Sequence, residues 1–330
     1  MERFDRSYIR KLRYALQWGL FFFIVYGGYK LYLFREHFLS GSPLVERPPL
    51  VDGFLPIGAL MGLKLWFTKG TFDPIHPASL VILLSSIAIS LALKKSFCGW
   101  ICPVGTLSEA VFKVGRKIFG RNVAIPRYID YPLRSIKYLL LFFFFYVVLK
   151  MPAQAITEFL SDPYWKIADI KMLDFFIKMS SLTFYVLLSL SALSLVFKNF
   201  WCRYLCPYGA LLGLLSAFSP FKINRNEDKC THCGKCTKNC PSLLPVDKKE
   251  IIRSPECTGC LTCVSGCPAK GALDMSVGKK NIKPVFYVGM VVIVFFGIIL
   301  SAKLTGNWHS AVTYEEYKAL VPVASKFGHP

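Results

Sequence analysis

Residues 230–241 read Cys230-Thr-His-Cys233-Gly-Lys-Cys236-Thr-Lys-Asn-Cys240-Pro241, and residues 257–268 read Cys257-Thr-Gly-Cys260-Leu-Thr-Cys263-Val-Ser-Gly-Cys267-Pro268. The spacing is identical: two residues, two, three, then proline. Three closely spaced thiolates wrap three corners of an iron–sulfur cubane, and the fourth, remote in sequence, reaches the neighbouring one. The spacing therefore predicts one [4Fe-4S] cluster on Cys230, Cys233, Cys236 and Cys267, and a second on Cys240, Cys257, Cys260 and Cys263. Thr231, Gly234, Thr258 and Gly259 are small and leave amides free to face sulfur. The proline after each fourth cysteine fixes the turn. Four-thiolate zinc sites instead pair one C-x2-C with another across a longer gap. No C-x-x-C-H haem attachment site occurs, since Gly234 follows Cys233.

The span from about Lys222 to Lys283 is long enough for a small α+β domain of the two-cluster bacterial ferredoxin kind. Its core is too small to fold robustly alone, so cluster binding and folding are expected to be coupled.

Around this domain the chain is apolar. It has 330 residues, 54% hydrophobic and only 18% charged, where a soluble domain carries about a quarter charged residues. Five apolar stretches approach the length a bilayer needs: Tyr14–Phe34, His76–Leu93, Ile136–Ala155, Phe175–Phe197 and Pro284–Leu304. A shorter piece, Phe54–Trp66, is expected to be an interfacial or re-entrant half-helix. The fold class expected is thus an α-helical polytopic membrane protein of about five transmembrane helices with the ferredoxin-like domain inserted. The divisions are a membrane domain (1–221), the two-cluster domain (222–283), a last transmembrane helix (284–304) and a periplasmic tail (305–330).

Basic residues set the orientation. The net charge is +20. Met1–Arg13 holds five Lys/Arg, Lys94–Lys137 nine against two acids, and Lys198–Lys283 fourteen against six. The loops between are nearly balanced. The positive-inside rule puts the N-terminus and the two-cluster domain in the cytoplasm of a bacterial inner membrane and the C-terminus in the periplasm. The asymmetry accounts for the basic excess, so membrane lipid is a partner and nucleic acid is not. A reducing compartment also disfavours disulfides. The first helix is expected to be an uncleaved anchor.

The remaining four cysteines form a second repeat. Phe97-Cys98-Gly-Trp100-Ile-Cys102-Pro-Val-Gly105 matches Trp201-Cys202-Arg-Tyr204-Leu-Cys206-Pro-Tyr-Gly209 at a constant offset. Each copy follows an apolar helix and precedes a helical stretch. Residues four apart share a helix face, so each copy can present two sulfurs. Cys98, Cys102, Cys202 and Cys206 are candidates for a third iron–sulfur or other metal centre, for redox-active thiols, or for inert structural elbows.

These C-x3-C-P turns flanking a membrane helix, followed by the two cluster motifs, resemble the NapH/NosR/CcoG group of polyferredoxins, and are closest in layout to the NapH type. The resemblance covers roughly residues 14–275. It implies membrane-bound electron transport and a subunit of a quinol dehydrogenase or oxidoreductase. Implied partners are quinol or quinone and a redox protein: a periplasmic reductase, a cytochrome or a second ferredoxin subunit. A fifth helix and a tail after the cluster domain depart from the pattern.

Quinone chemistry needs an apolar cleft and a polar group to handle protons. Candidates on the outer side are Arg47, Lys64, Asp73 and His76, and on the inner side Trp100 and Tyr204. Two other functions stay open: an assembly or maturation factor acting as a membrane reductase of copper or of a cofactor centre, and a redox sensor. No nucleotide-binding glycine motif or nucleophile elbow is present.

Overall fold

The computed structural model describes residues 6–120, 125–278 and 280–328. The extreme ends of the basic head and of the tail lie outside them. The chain is mostly helical, and the elements run as follows: α1 Arg6–Ser40, α2 Pro56–Lys69, α3 Pro77–Leu93, α4 Ser96–Trp100, α5 Pro103–Phe119, α6 Arg127–Lys150, α7 Ala153–Ser161, α8 Pro163–Lys166, α9 Ala168–Ile177, α10 Ser181–Val196, a π-turn Trp201–Leu205, α11 Pro207–Ser216, β1 Phe221–Arg225, α12 Lys235–Asn239, β2 Ile251–Ile252, α13 Thr262–Ser265, β3 Leu273–Val277, β4 Lys280–Ile282, α14 Pro284–Leu304 and α15 Tyr314–Leu320. Proline opens α2, α3, α5, α8, α11 and α14, where its missing N–H costs nothing and its φ suits the first turn. Gly70 and Gly120 close α2 and α5 in the left-handed region, which glycine enters without penalty.

Among the described residues, two helices are long and apolar enough to cross a membrane, α6 over Tyr128–Lys150 and α14. The fourth apolar stretch is not one helix. α9 and α10 meet at a 79° bend and qualify only together, as a broken span or a re-entrant loop. The break falls at Lys178-Met179-Ser180, where a charged and two polar-tolerant residues interrupt the run. α3 is apolar but only 17 residues. Large apolar side chains project outward along these helices, among them Phe22 and Phe23, Phe142 and Phe143, Leu182 and Tyr185, and Ile293 and Leu300. An apolar exterior of this extent belongs in lipid.

The chain divides into two compact units. The first comprises residues 1–21, 86–141 and 188–296, the second residues 22–85, 142–187 and 297–330. α1, α3, α6, α10 and α14 supply residues to both.

The first unit holds all twelve cysteines. Its sheet is four-stranded and antiparallel, in the order β2-β1-β3-β4. β1 and β3 pair over their full length, Phe221 opposite Val277 and Arg225 opposite Leu273. The two strands bracket the cysteine segments in sequence, so this pairing closes the segment on itself. Ile223, Ile252, Leu273 and Met275 are buried from the sheet, and the short helices α12 and α13 carry the cysteine runs.

Among the described residues, three apolar clusters lie in the second unit. Leu31, Phe34, Val51, Ile167, Ile170 and Tyr317 form one. Met61, Leu65, Ile156, Leu160 and Trp165 form another. Ala78, Val81, Ala302 and Trp308 form the third. The C-terminal tail is therefore packed rather than free: Tyr317 is buried against Phe34, and Thr313 caps α15 in a reciprocal box with Glu316. α2, the expected half-helix, is buried along Gly58, Ala59, Met61, Gly62 and Leu65. A Cβ on Gly58 would lie 1.8 Å from the Trp165 ring, so only glycine allows that approach.

Candidate functional site

The two cluster motifs share a backbone device. His232 and Gly234 take left-handed φ of 51° and 65°, and the equivalent Gly259 and Leu261 take 57° and 57°. Left-handed residues flanking a cysteine turn successive amides inward and make a concave nest for anionic sulfur. His232 and Leu261 adopt it without glycine's freedom, so local backbone strain is offset by the surrounding structure.

Cys240, Cys257, Cys260 and Cys263 line one cavity whose other walls include Ile223, Leu244, Val246, Ile252 and Leu261. The amides of Gly259, of Leu244 and Ser242, and of Val264 favour the thiolates of Cys257, Cys240 and Cys263 respectively. Burial, with other sulfurs close by, pushes the Cys240 thiol up to about 12. Four soft donors, apolar walls and inward amides fit an iron–sulfur cluster, which would be held by these four sulfurs. Cys230, Cys233, Cys236 and Cys267 are carried by the loop before α12, by α12 itself and by the turn after α13. Cys236 is buried, Cys230 and Cys267 are half-buried and Cys233 is exposed.

The C-x3-C-P turns grip this cavity from two sides. From the first, the Trp100 indole donates to the Gly259 carbonyl at 3.1 Å. A Cβ on Gly99 would stand 2.8 Å from the Thr258 carbonyl oxygen and 3.4 Å from Cys260 Cβ, so glycine is needed for the approach. From the second, Lys198 donates to the Cys240 carbonyl at 2.7 Å, Asn199 to that of Pro241 at 3.1 Å and Arg203 to that of Ser242 at 2.7 Å. Asn199 turns the chain at φ 54°. Arg13 of α1 ties the same region, donating to Gly99 O at 3.0 Å and to Thr262 Oγ1 at 3.0 Å and pairing with Glu109.

Cys98, Cys102, Cys202 and Cys206 line a second cavity, together with Arg13, Lys95, Glu109, Arg203, Tyr208 and Glu256. Pro241, Ser242 and Thr258 belong to the walls of both cavities. Burial lifts the Cys98 thiol to about 11, and burial with Cys206 and Cys98 nearby lifts Cys202 to about 12. The Gly209 amide donates to Cys206 Sγ at 3.2 Å.

Two lysines at the end of α3 were counted in the sequence only as loop charge. Both are buried, Lys94 at 0% and Lys95 at 4% exposure. Lys94 has φ 61°; among the described residues its ammonium finds no hydrogen-bond partner. Burial pulls it down to about 8, against the attraction of Cys257. Lys95 lies 3.7 Å from Glu256. Burial opposes its charge, but Glu256, Cys98 and Cys206 outweigh it and raise its pKa. The signal available was the Lys-Lys pair set directly against an apolar helix and two residues before a cysteine.

The quinone candidates divide between the units. Trp100 and Tyr204 are buried in the first; the Tyr204 hydroxyl donates to Asp130 at 2.6 Å. In the second, Lys64 donates to the carbonyls of Val148, Leu149 and Met151 at 3.0, 2.8 and 2.6 Å, and so caps α6. Arg47 pairs with Asp169 at 2.7 Å and with Asp52. His76 bridges the Asp52 carboxylate at 3.1 Å and the Trp165 carbonyl at 2.7 Å. The Arg47 guanidinium lies 3.0 Å from the same His76 Nδ1. Burial raises Asp73. Asp52 and Asp169, both fully buried, were not singled out in the sequence because lone acids in loops carry no spacing.

Comparison with known proteins follows this geometry. A family described as "4Fe-4S binding domain" matches residues 75–122 and 182–226, the two C-x3-C-P repeats, and one described as "4Fe-4S dicluster domain" matches residues 222–281. The chain is 48% identical over 297 residues to "Putative electron transport protein YccM" of Escherichia coli (strain K12), covering 88% of this chain and 83% of that one.

The chain belongs to the NapH/NosR-type polyferredoxin family of membrane proteins.

Within this polyferredoxin family, "Ferredoxin-type protein NapH" of Escherichia coli (strain K12) is 23% identical, over 66% of this chain and 67% of its own. "Regulatory protein NosR" of Pseudomonas aeruginosa is 29% identical over 49% of this chain, but that is only 22% of its own length. No solved structure matches.

Proposed function

We propose that this polyferredoxin is a membrane-bound electron-transport protein that passes electrons between the quinol/quinone pool and a redox partner protein. The observation that carries the reading is the Cys240–Cys263 cavity clamped between two C-x3-C-P turns that sit at the ends of apolar helices. Such a site has a reason to be anchored there only if its electrons come from, or go to, the membrane.

Two [4Fe-4S] clusters, on Cys230, Cys233, Cys236 and Cys267 and on Cys240, Cys257, Cys260 and Cys263, supply reversible one-electron chemistry when bound. The chain's own residues do the rest. Inward amides and buried Lys94 stabilise negative charge on the inner quartet. Trp100, Lys198, Asn199 and Arg203 hold its backbone segments rigid, which keeps reorganisation small. The half-buried outer quartet faces a surface carrying Lys229, Lys235, Lys238, Lys248 and Lys249, all exposed, and this suits an acidic partner protein.

The topology that fits is five crossings of a bacterial inner membrane, with the two-cluster domain cytoplasmic and the tail periplasmic. The five helices that supply residues to both units are those of the five apolar stretches, and the lysine-rich segments alternate along the chain with nearly balanced loops, which puts them all on one side. We place the quinol contact at the membrane edge of the first unit. Arg47, Asp73 and His76 are enclosed and paired in the second, and Lys64 is committed to the end of α6.

The test is reduction of the purified protein in proteoliposomes by a menaquinol analogue, followed by EPR. Signals that rise with quinol and fall with quinone support the reading. Signals that respond to dithionite but never to quinol refute it.

A further inference from the structure

We propose that Lys94 and Lys198 are the counter-charges of the inner cysteine quartet and raise the reduction potential of the cluster it holds, one lysine coming from each copy of the membrane repeat. This deepens the electron-transport reading and rests on its assignment of a cluster to Cys240, Cys257, Cys260 and Cys263.

The first observation is in the sequence. The repeat is longer than its cysteines. Lys94-x3-Cys98-x3-Cys102-Pro103 and Lys198-x3-Cys202-x3-Cys206-Pro207 keep the same spacing, and the lysines are related by the same offset as the sulfurs. Each lysine follows the end of an apolar helix, α3 closing at Leu93 and α10 at Val196. Each also stands at a left-handed corner: Lys94 has φ 61°, and Asn199, directly after Lys198, has φ 54°. Such a φ is uncommon for any residue but glycine.

The second observation is burial without a carboxylate. Lys94 is 0% and Lys198 8% exposed. The other buried cations of the first unit are paired: Arg13 has Glu109, Lys95 and Lys137 share Glu256, and Arg203 has Asp130. Among the described residues, the Lys94 ammonium has no hydrogen-bond partner. That of Lys198 donates to a neutral carbonyl, at Cys240, and lies 5.1 Å from the centre of the Phe112 ring. Glu109 attracts Lys198 but is already held by Arg13 and Lys113. A buried ammonium without a counter-charge is costly, so an anion is required beside these two.

The third observation says which anion. Both lysines converge on the inner quartet. Cys257 attracts Lys94, against repulsion from Lys222. Cys240 and Cys260 attract Lys198, against repulsion from Arg116. All three cysteines line the inner cavity. The cavity of the C-x3-C-P sulfurs is lined by Lys95 and by neither Lys94 nor Lys198. Around the outer quartet, Lys229, Lys235 and Lys238 are exposed, where water and salt screen their field.

The direction of the effect follows from charge. A four-thiolate iron–sulfur centre is anionic, and its reduction adds one more negative charge. Fixed cations in a dry site favour the reduced form more than the oxidised one. The two motifs share one spacing, so the lysines give the inner site an electron affinity that the spacing alone does not.

The experiment is an EPR-monitored redox titration of the full-length protein, purified anaerobically in detergent, with iron analysis. Wild type is compared with Lys94→Met, Lys198→Met and Lys198→Arg. The inner component is identified as the one lost in Cys240→Ser/Cys263→Ser. Each Met variant should keep its iron and lose about tenfold in the electron affinity of the inner cluster, a fall of about 59 mV for one electron. The outer component should stay in place as the internal control. Lys198→Arg keeps the charge and a donor and should titrate near wild type, a rescue that lost packing would not show. If a Met variant loses its iron, the same titration on Lys94→Gln and Lys198→Gln decides. Inner potentials unmoved in both lysine positions overturn the proposal and leave the electron-transport reading standing. So does a Lys198→Arg shift as large as that of Lys198→Met, since charge would then not be the cause. A wild-type spectrum untouched by Cys240→Ser/Cys263→Ser overturns both.

Discussion

Replacing Arg13 by methionine should loosen the first unit by several kcal/mol without touching a cysteine. Arg13 is 4% exposed. Its guanidinium joins three segments: Glu109 of α5, the Gly99 carbonyl of the first C-x3-C-P turn, and Thr262 beside the inner cysteine quartet. Methionine fills most of the volume, so the loss is mainly polar. Removing one partner of a buried ion pair costs about 3–5 kcal/mol because the other charge is stranded. Glu109 keeps Lys113 at 2.7 Å, which argues for the low end of that range. The Gly99 carbonyl keeps Gln17 at 3.1 Å, but Thr262 loses its donor, about 1 kcal/mol more. The total is about 3–4 kcal/mol. For a unit of this size each kcal/mol moves Tm by roughly 2–4 °C, so a fall of about 6–16 °C is expected. The assay is loss of visible cluster absorbance on heating the detergent-solubilised protein. Arg13→Lys keeps the charge but not the fork and should recover only part of the loss. A Met variant melting within a degree or two of wild type would refute the reasoning, since Arg13 would then be a passenger.

Other outcomes follow from the same contacts. Gly99→Ala forces a Cβ against the Thr258 carbonyl at 2.8 Å and should cost about 1–3 kcal/mol, seen as faster air bleaching of the inner cluster. Arg47→Leu strands Asp169 and leaves Asp52 only His76, and should destabilise the second unit by about 3–5 kcal/mol, read as increased hydrogen exchange in α15 and the 160s segment. The Arg47 network also sets a pH window. Asp52 is held below its ordinary value by Arg47 and His76 despite burial, so its contribution is present above the carboxylate range and lost on acidification. Thermal melts check this: the midpoint should fall as the pH drops through the carboxylate range.

Much of the cysteine framework was legible because thiolate spacing is dictated by cluster geometry, and because Cys98–Cys102 and Cys202–Cys206 repeat at a fixed offset. What sequence could not show is which cysteine segment each turn would grip. The Trp100–Gly259 and Lys198–Cys240 contacts join residues far apart in the chain and carry no periodicity. Trp100 and Tyr204 are expected at a quinone site because aromatic groups suit one; in the structure the Trp100 indole donates to the Gly259 carbonyl and the Tyr204 hydroxyl to Asp130. Lys94 and Lys95 counted toward topology, and their burial between two cysteine sites is invisible to a charge tally. Hydropathy located the apolar stretches but not the bend at Lys178–Ser180, since a three-residue interruption is averaged away over a window of spanning length. Composition does not show how the tail packs; Tyr317 lies against Phe34 and Trp308 clusters with Ala78.

The claim on which the rest stands is that the inner quartet holds an iron–sulfur cluster beneath the membrane helices. The most direct measurement is low-temperature EPR of anaerobically purified, dithionite-reduced protein, wild type against Cys240→Ser/Cys263→Ser. The account predicts a brown wild-type protein with a reduced-cluster signal, and a variant that loses the component assigned to this cavity while keeping the one on Cys230, Cys233, Cys236 and Cys267. A colourless, EPR-silent wild-type protein, or a variant spectrum identical to wild type, would contradict it.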